Sequence, residues 1–125
     1  MLSINFSDLS NNEPQFSRAV ELLKLWLNAH RDATEISPSA VARFLRHHRS
    51  MNFEEATQLA LFLERLVDRG ILQRRFAVQS PSGQLLHPYY RSQSEIPARV
   101  SGLFEEHVVT ADAEIKPIFI GSDDE

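Results

Sequence analysis

Apolar residues recur at helical spacing near the start of the chain and predict a first helix that runs to about Ala29. Its main face holds Phe16, Ala19, Val20, Leu23, Trp26 and Leu27. Leu22, Leu25 and Ala29 widen the apolar arc to roughly 220°, more than one core contact needs. Either the N-terminal arm or the C-terminal tail covers the extra surface, or it forms a dimer or partner interface.

A second helix is predicted to begin at Ser37 and Pro38. Serine is a good N-cap, and proline is well tolerated at the first helical position, where its missing N–H costs nothing. The apolar residues that follow are predicted to face the core: Ala40, Val41, Phe44 and Leu45. Arg43, Arg46 and His47 then point away from the core.

A third helix is predicted to begin at Asn52, with Glu55 three residues later in capping-box spacing. Gly70 stands where a left-handed residue would end this helix. Its predicted core stripe consists of Ala56, Leu59, Ala60, Leu63, Leu66 and Val67. The predicted outer face consists of Glu54, Thr57, Gln58, Leu61, Glu64, Arg65 and Asp68.

A β-hairpin is predicted after Gly70. Residues 71–79 and 84–91 have strand composition, and residues 80–83 read Ser-Pro-Ser-Gly, which suits a type I turn. Pro88 places the second strand at a sheet edge. Further on, Pro97 and the apolar residues up to Val108 predict a short helix, residues 114–120 an added strand, and residues 121–125 a disordered acidic end.

These elements predict a mainly helical α+β fold in three parts. Residues 1–14 form an N-terminal arm, residues 15–92 the folded domain, and residues 93–125 a C-terminal extension with an acidic tail. A length of 125 residues suits one domain. The chain has no cysteine, which excludes disulfides and thiolate zinc sites. We find no membrane span or signal peptide in the sequence, and we expect a cytoplasmic protein.

Charge is unevenly distributed along the chain. Residues 31–99 hold ten arginines against seven acids, a net charge of +3. Residues 100–125 hold seven acids and one lysine, a net charge of −6. A basic middle and an acidic tail indicate either a surface that meets polyanions, which the tail could mask, or a solvated tail that keeps the protein soluble.

The order of three helices followed at once by a hairpin resembles the winged helix-turn-helix superfamily. The likeness is carried by Ser-Pro-Ser-Ala-Val-Ala-Arg-Phe-Leu at residues 37–45 and by residues 56–72, which end in Leu-Val-Asp-Arg-Gly-Ile-Leu. The last step resembles the passage from recognition helix to wing in many bacterial regulators. The resemblance covers about residues 15–92. It implies a winged-helix fold that serves either as a DNA-binding domain or as an adaptor in a larger assembly.

The predicted outer face of the third helix argues against reading of the major groove. It carries three acids and one arginine, and phosphates line both walls of the groove. Gln58 and Arg65 are the residues that could contact bases. Leu61, exposed among charges, instead indicates a protein contact. The apolar run at residues 115–120 should dock on the wide face of the first helix or on a partner, and Pro117 predicts that it lies at a sheet edge or packs by its side chains. The candidate protein-interface residues are Leu22, Leu25, Leu61, Ile118 and Phe119.

The basic residues are concentrated outside the third helix. The candidate nucleic-acid-binding residues are Arg43, Arg46, His47, His48 and Arg49 on the second helix and its turn, and Arg74, Arg75 and Arg91 on the hairpin. Together they could hold double-stranded DNA by its phosphates without reading sequence. In the alternative interpretation they form a solvated face or pair with Glu54, Glu55 and the acidic tail.

No catalytic motif is present in the sequence. The histidines at positions 30, 47, 48, 87 and 107 lack metal-ligand spacing, and the four glycines are isolated. We expect no enzyme activity, cofactor, metal or small-molecule ligand. The predicted function is a non-catalytic winged-helix module, an accessory subunit of an assembly that could act on DNA, with a protein partner or a second copy bound. The alternative is a DNA-binding transcription regulator.

Overall fold

The protein has an α+β fold with three α-helices and six β-strands. The computed structural model describes residues 4, 14–48, 52–102 and 107–121. The helices are α1 (Ser17–Ala29, after a 3-10 turn Pro14–Phe16), α2 (Pro38–His48) and α3 (Phe53–Asp68). The strands are β1 (Glu35–Ile36), β2 (Leu72–Gln79), β3 (Leu85–Tyr90), β4 (Arg99–Ser101), β5 (His107–Val109) and β6 (Ile115–Gly121). The described residues thus include more strands than the single hairpin and added strand that the sequence predicted.

The predicted starts of the second and third helices are confirmed. The Ala40 N–H donates to Ser37 Oγ at 3.4 Å. At α3 the capping box is complete, because Asn52 Oδ1 accepts from the Glu55 N–H at 2.8 Å and Glu55 Oε1 accepts from the Asn52 N–H at 3.3 Å. Each bond satisfies a backbone donor that the first helical turn leaves without an intrahelical partner.

The end of α3 is also confirmed and forms a Schellman motif. Gly70 adopts φ +75°, a conformation that strains any residue with a Cβ. Its N–H donates to the Val67 carbonyl at 2.9 Å, and the Ile71 N–H donates to the Leu66 carbonyl at 3.0 Å. These are the two bonds that define the motif. The chain therefore leaves α3 in a fixed direction and enters β2 at Leu72.

The chain divides into two compact units, residues 1–73 with 119–125 and residues 74–118. The first, here the helical unit, has a core drawn from all three helices, β1, the start of β2 and Phe119. Ile4 and Phe44 are partly buried against this core. Its fully buried side chains include Leu22, Leu23, Ile36, Val41, Leu45, Leu59, Phe62, Leu63, Leu66, Leu72 and Phe119.

The core stripe of α3 is rotated from the predicted one. Phe62 is buried and its ring lies 5.6 Å from that of Phe16, whereas Ala60 is exposed. Leu59, Leu63 and Leu66 are buried as predicted. The rotation buries a large aromatic side chain at the expense of a methyl group, and the free energy gained on burial grows with the apolar area removed from water.

A four-stranded antiparallel sheet runs in the order β1-β6-β2-β3. The predicted C-terminal strand is confirmed as β6, and the predicted edge position of the strand with Pro88 is confirmed by β3. Pro117 had predicted that the C-terminal segment lies at a sheet edge or packs by its side chains. The edge position was wrong, because β6 lies between β1 and β2. The β1 ladder consists of Glu35↔Ile120 and Ile36↔Phe119, so β1 is too short to require an amide donor from Pro117.

The second compact unit, here the β unit, holds most of the hairpin and the strands up to Ile118. Its core consists of Val78, Leu86, Val100 and Val108. The helix predicted after Pro97 was wrong, because residues 99–101 pair with residues 107–109 as antiparallel β4 and β5. Val100 and Val108 are directly paired, and β-branched side chains favour strands over helices.

Candidate functional site

The first candidate site is the outer face of α3. It comprises the exposed residues Phe53, Glu54, Thr57, Ala60, Leu61, Arg65 and Asp68, together with the half-buried Glu64. These positions project from one side of the helix because residues three and four apart lie above one another. The predicted outer face is largely confirmed, with Gln58 half-buried and Phe53 and Ala60 added.

Two exposed apolar side chains dominate this face. Phe53 is 87% exposed and Leu61 is 50% exposed. They stand eight residues apart, with Thr57 midway between them, and Thr57 Oγ1 donates to the Phe53 carbonyl at 3.0 Å. The threonine hydroxyl is thus satisfied within the helix. The result is an apolar ridge along two turns of α3.

Acidic residues border the ridge. Glu54, Glu64 and Asp68 lie beside it, against one basic residue, Arg65. A phosphate backbone would be repelled by this distribution of charge. A protein surface with apolar pockets between lysines or arginines would be complementary to it.

The start of α3, and hence the position of Phe53, is held by contacts beyond its own helix. Glu55 Oε2 accepts from Arg18 Nε of α1 at 2.6 Å, while Arg18 Nη1 also donates to Glu21 at 3.2 Å. The hydrogen bond to Glu55 is the main cause that raises the pKa of Arg18 above its ordinary value. Glu55 thus takes part in both the capping box and an ion pair between helices, so the first turn of α3 is fixed on α1.

Phe53 was missed as a site residue in the sequence. The signal that could have found it is its place directly after the Asn52 cap, eight residues before Leu61. At 100° per residue, positions 53, 57 and 61 span an arc of about 80°. The sequence pattern alone did not separate an exposed aromatic residue from one that packs back on the core.

Of the predicted protein-interface residues, three lie in the interior. Leu22, Ile118 and Phe119 are at most 1% exposed, so their assignment to a surface is corrected. Leu22 and Phe119 pack in the core of the helical unit, and Ile118 lies within β6. Leu25 and Leu61 are exposed, as an interface would require.

The predicted nucleic-acid-binding residues divide between the two units. On α2, Arg43, Arg46 and His47 are exposed, and Arg46 Nε donates to the Ala42 carbonyl at 3.4 Å. Arg49 and the side chain of His48 lie outside the described residues. The α2 residues belong to the helical unit, and Arg74, Arg75 and Arg91 belong to the β unit.

One of the hairpin arginines lies beside an aromatic side chain, and two further rings stack on the opposite strand. The guanidinium of Arg74 lies 5.7 Å from the ring centre of Phe76. Arg75 Nη1 donates to the Arg74 carbonyl at 3.0 Å. On the opposite strand the rings of His87 and Tyr89 stack with centres 4.5 Å apart and planes inclined by 27°. The sequence indicated the arginines as candidate binding residues but did not indicate these rings.

A cavity of about 580 Å³ opens in the β unit. It is lined by the hairpin turn and by residues 107–109 and 112–114, which include His107, Asp112 and Glu114. Glu114 forms an ion pair with Lys116 at 3.0 Å. Within the described residues, no group of three or more histidine and acidic side chains could hold a metal ion. No helix among the residues that the structure describes is long and apolar enough to cross a bilayer.

The chain was compared with known protein families, with curated proteins and with solved structures, and no match was found in any of the three.

Proposed function

We propose that the protein is a non-catalytic winged-helix interaction module that serves as an accessory subunit of a multiprotein assembly. The order α1-β1-α2-α3 followed at once by the β2-β3 hairpin supports the winged-helix assignment. Strand β6, which lies between β1 and β2, and the β4-β5 pair are additions to that plan. In this proposal α3, the counterpart of a recognition helix, binds protein.

The observation that carries this proposal is the exposure of Phe53 and Leu61 on an acidic helix face. An exposed aromatic side chain contributes most to the free energy of binding when it is buried in a pocket of the partner, and such anchor residues dominate the binding energy of interfaces. An amphipathic helix laid in an apolar groove is a recurrent mode of protein recognition. The partner we propose is a protein with an apolar groove bordered by lysine or arginine.

The partner is identified first by site-specific cross-linking. A photoreactive phenylalanine analogue placed at Thr57, between Phe53 and Leu61, should cross-link to one defined protein in the cells of origin. The same analogue placed at Gln93, exposed in the β unit, is the control and should not yield that product. A cross-link to a second copy of this chain would replace the proposed partner with a homodimer.

The function is then tested with the two purified proteins. We expect Phe53→Ala with Leu61→Ala to weaken binding at least about 30-fold, as for truncation of a hot-spot residue. Val109→Ala is the matched control, because Val109 is also an exposed apolar residue, 41% accessible, but lies in β5. Equal affinity for wild type and the double variant by calorimetry would overturn the proposal.

The second candidate function is that of a DNA-binding regulator. It is favoured by the exposure of Arg43, Arg46 and His47 on α2. Their positions span an arc of about 100° of the helix, so they can face one phosphate strand together. The acidic outer face of α3 makes this binding independent of sequence, and its salt dependence provides the test given in the Discussion.

A further inference from the structure

An aromatic stack is exposed on the β2-β3 hairpin, separate from α3. Register pairs join Phe76 to Tyr90 and Val78 to Leu86, so β3 has two more residues than β2 between these pairs. The extra length forms a bulge that contains His87 and Tyr89. Bulges redirect side chains that a regular ladder would hold in alternation. Here the two rings stack at 4.5 Å, with His87 exposed and Tyr89 half-buried.

Arg75 and Arg91 stand next to the register pair Phe76↔Tyr90, at one end of the bulge. Side chains alternate along a strand, so Arg75 lies on the sheet face opposite to its neighbour Phe76. Arg91 is exposed and follows directly after β3. Residues 72–91 contain three arginines and no acid, whereas the whole chain has a net charge of −4. The hairpin is therefore a local basic surface with an aromatic centre.

We propose that this hairpin binds single-stranded nucleic acid. A base would continue the stack on the exposed imidazole of His87, and Arg75 and Arg91 would contact the neighbouring phosphates. Stacking needs an accessible ring face, which a base offers when it is not paired in a duplex. Among the described residues, β3 is an edge strand of its sheet. This site is independent of the protein interface proposed on α3.

The test uses the full chain and fluorescein-labelled 15-mers of dT, of rU and of duplex DNA. We expect anisotropy to show tighter binding of dT or rU than of duplex, and the two single strands distinguish DNA from RNA. His87→Ala should weaken single-strand binding about 5- to 100-fold, the loss of one base–aromatic stack. His107→Ala, which removes an exposed histidine elsewhere in the β unit, should leave it unchanged.

Two further variants separate stacking from charge. Tyr89→Phe should retain binding, because it keeps the ring that supports His87. Arg75→Gln with Arg91→Gln should lower the salt dependence of log Kd by about 1.4, from roughly 0.7 per phosphate contact on a single strand. Thermal melts of each variant verify the fold.

The contact is mapped by photocross-linking. A 4-thiouridine oligomer should attach to the tryptic peptide 76–91, which contains the whole stack. Equal binding of single strand and duplex, equal binding by His87→Ala and wild type, or cross-links confined to α2 would each overturn the proposal. Absence of measurable binding to all three probes at low salt would overturn it as well.

Discussion

Gly70 controls the direction in which the chain leaves α3. A Cβ built at this position has no heavy atom within 4 Å. The position therefore favours glycine because of its φ of +75° and not because of crowding. We expect Gly70→Ala to lower the free energy of unfolding by about 1 kcal/mol, because a left-handed conformation strains alanine. Gly70→Asn should cost less, since asparagine tolerates this region. Equilibrium urea unfolding compares them, and equal losses would contradict the conformational explanation.

Leu63 and Leu61 form a matched pair on the same helix. Leu63 is fully buried and Leu61 is 50% exposed. We expect Leu63→Ala to lower stability by about 2–5 kcal/mol, since the truncation leaves a cavity in the core. Leu61→Ala should change it by less than about 0.5 kcal/mol, as at other surface positions. Similar thermal melts for the two variants would show that the stripe of α3 is assigned to the wrong side.

At the scale of elements, β6 explains how the C-terminal apolar run is kept from solvent. The sequence had predicted that this run docks either on the wide apolar face of the first helix or on a partner. In the structure it joins the sheet between β1 and β2, where Ile118 and Phe119 are buried. The Gln79 N–H donates to the Glu114 carbonyl at 2.9 Å, just before the strand begins. Where β6 has a strand on each side, its backbone groups are satisfied, which those of an exposed apolar run would not be.

This placement changes the result expected from truncation. Deletion of residues 113–125 should unfold or severely destabilise the protein, because it removes an interior strand and the core side chain of Phe119. A surface docking segment would instead come away and leave a folded domain. A chain that ends at Gly121 retains all of β6 and is the control. Circular dichroism and analytical ultracentrifugation distinguish the outcomes: a folded but self-associating truncation would restore the docking interpretation.

At the scale of the whole molecule, the acidic and basic surfaces are separated by element. The outer face of α3 carries three acids and one arginine around an apolar ridge, whereas α2 carries Arg43 and Arg46 and the hairpin carries three arginines. Protein binding is accordingly assigned to α3 in the proposals made above, and polyanion binding to other elements of the chain. It also means that the net charge of −4 does not describe any single surface.

The proposed binding of duplex DNA through α2 can be tested quantitatively by its salt dependence. We expect weak binding that is insensitive to sequence, with a log–log salt slope that falls by about 1.8 in Arg43→Ala with Arg46→Ala, from roughly 0.9 per phosphate contact. Arg31→Ala, at an exposed position outside α2, is the control. A titration between low and moderate salt measures the slope. Tight binding to one sequence that Gln58→Ala abolishes would instead indicate base reading by α3.

The sequence by itself determined the helix starts at Pro38 and Phe53, the end of α3 before Gly70 and the hairpin turn, because each depends on hydrogen bonds and dihedral angles within a few residues. It also indicated the exposure of Leu61 and the arginines of α2, since helical periodicity assigns faces.

The tertiary structure alone decided which strands pair, which apolar residues of a wide face are buried, and which aromatic side chains remain exposed. Phe119 pairs with Ile36, which is far away in the sequence. Such a pairing depends on burial and on hydrogen bonds between strands, which a local sequence pattern does not reveal. The same long-range packing buries Leu22 and Phe62 and leaves Phe53 in solvent. Local signals fix where elements begin and end, whereas their partners depend on which arrangement removes the most apolar surface from water.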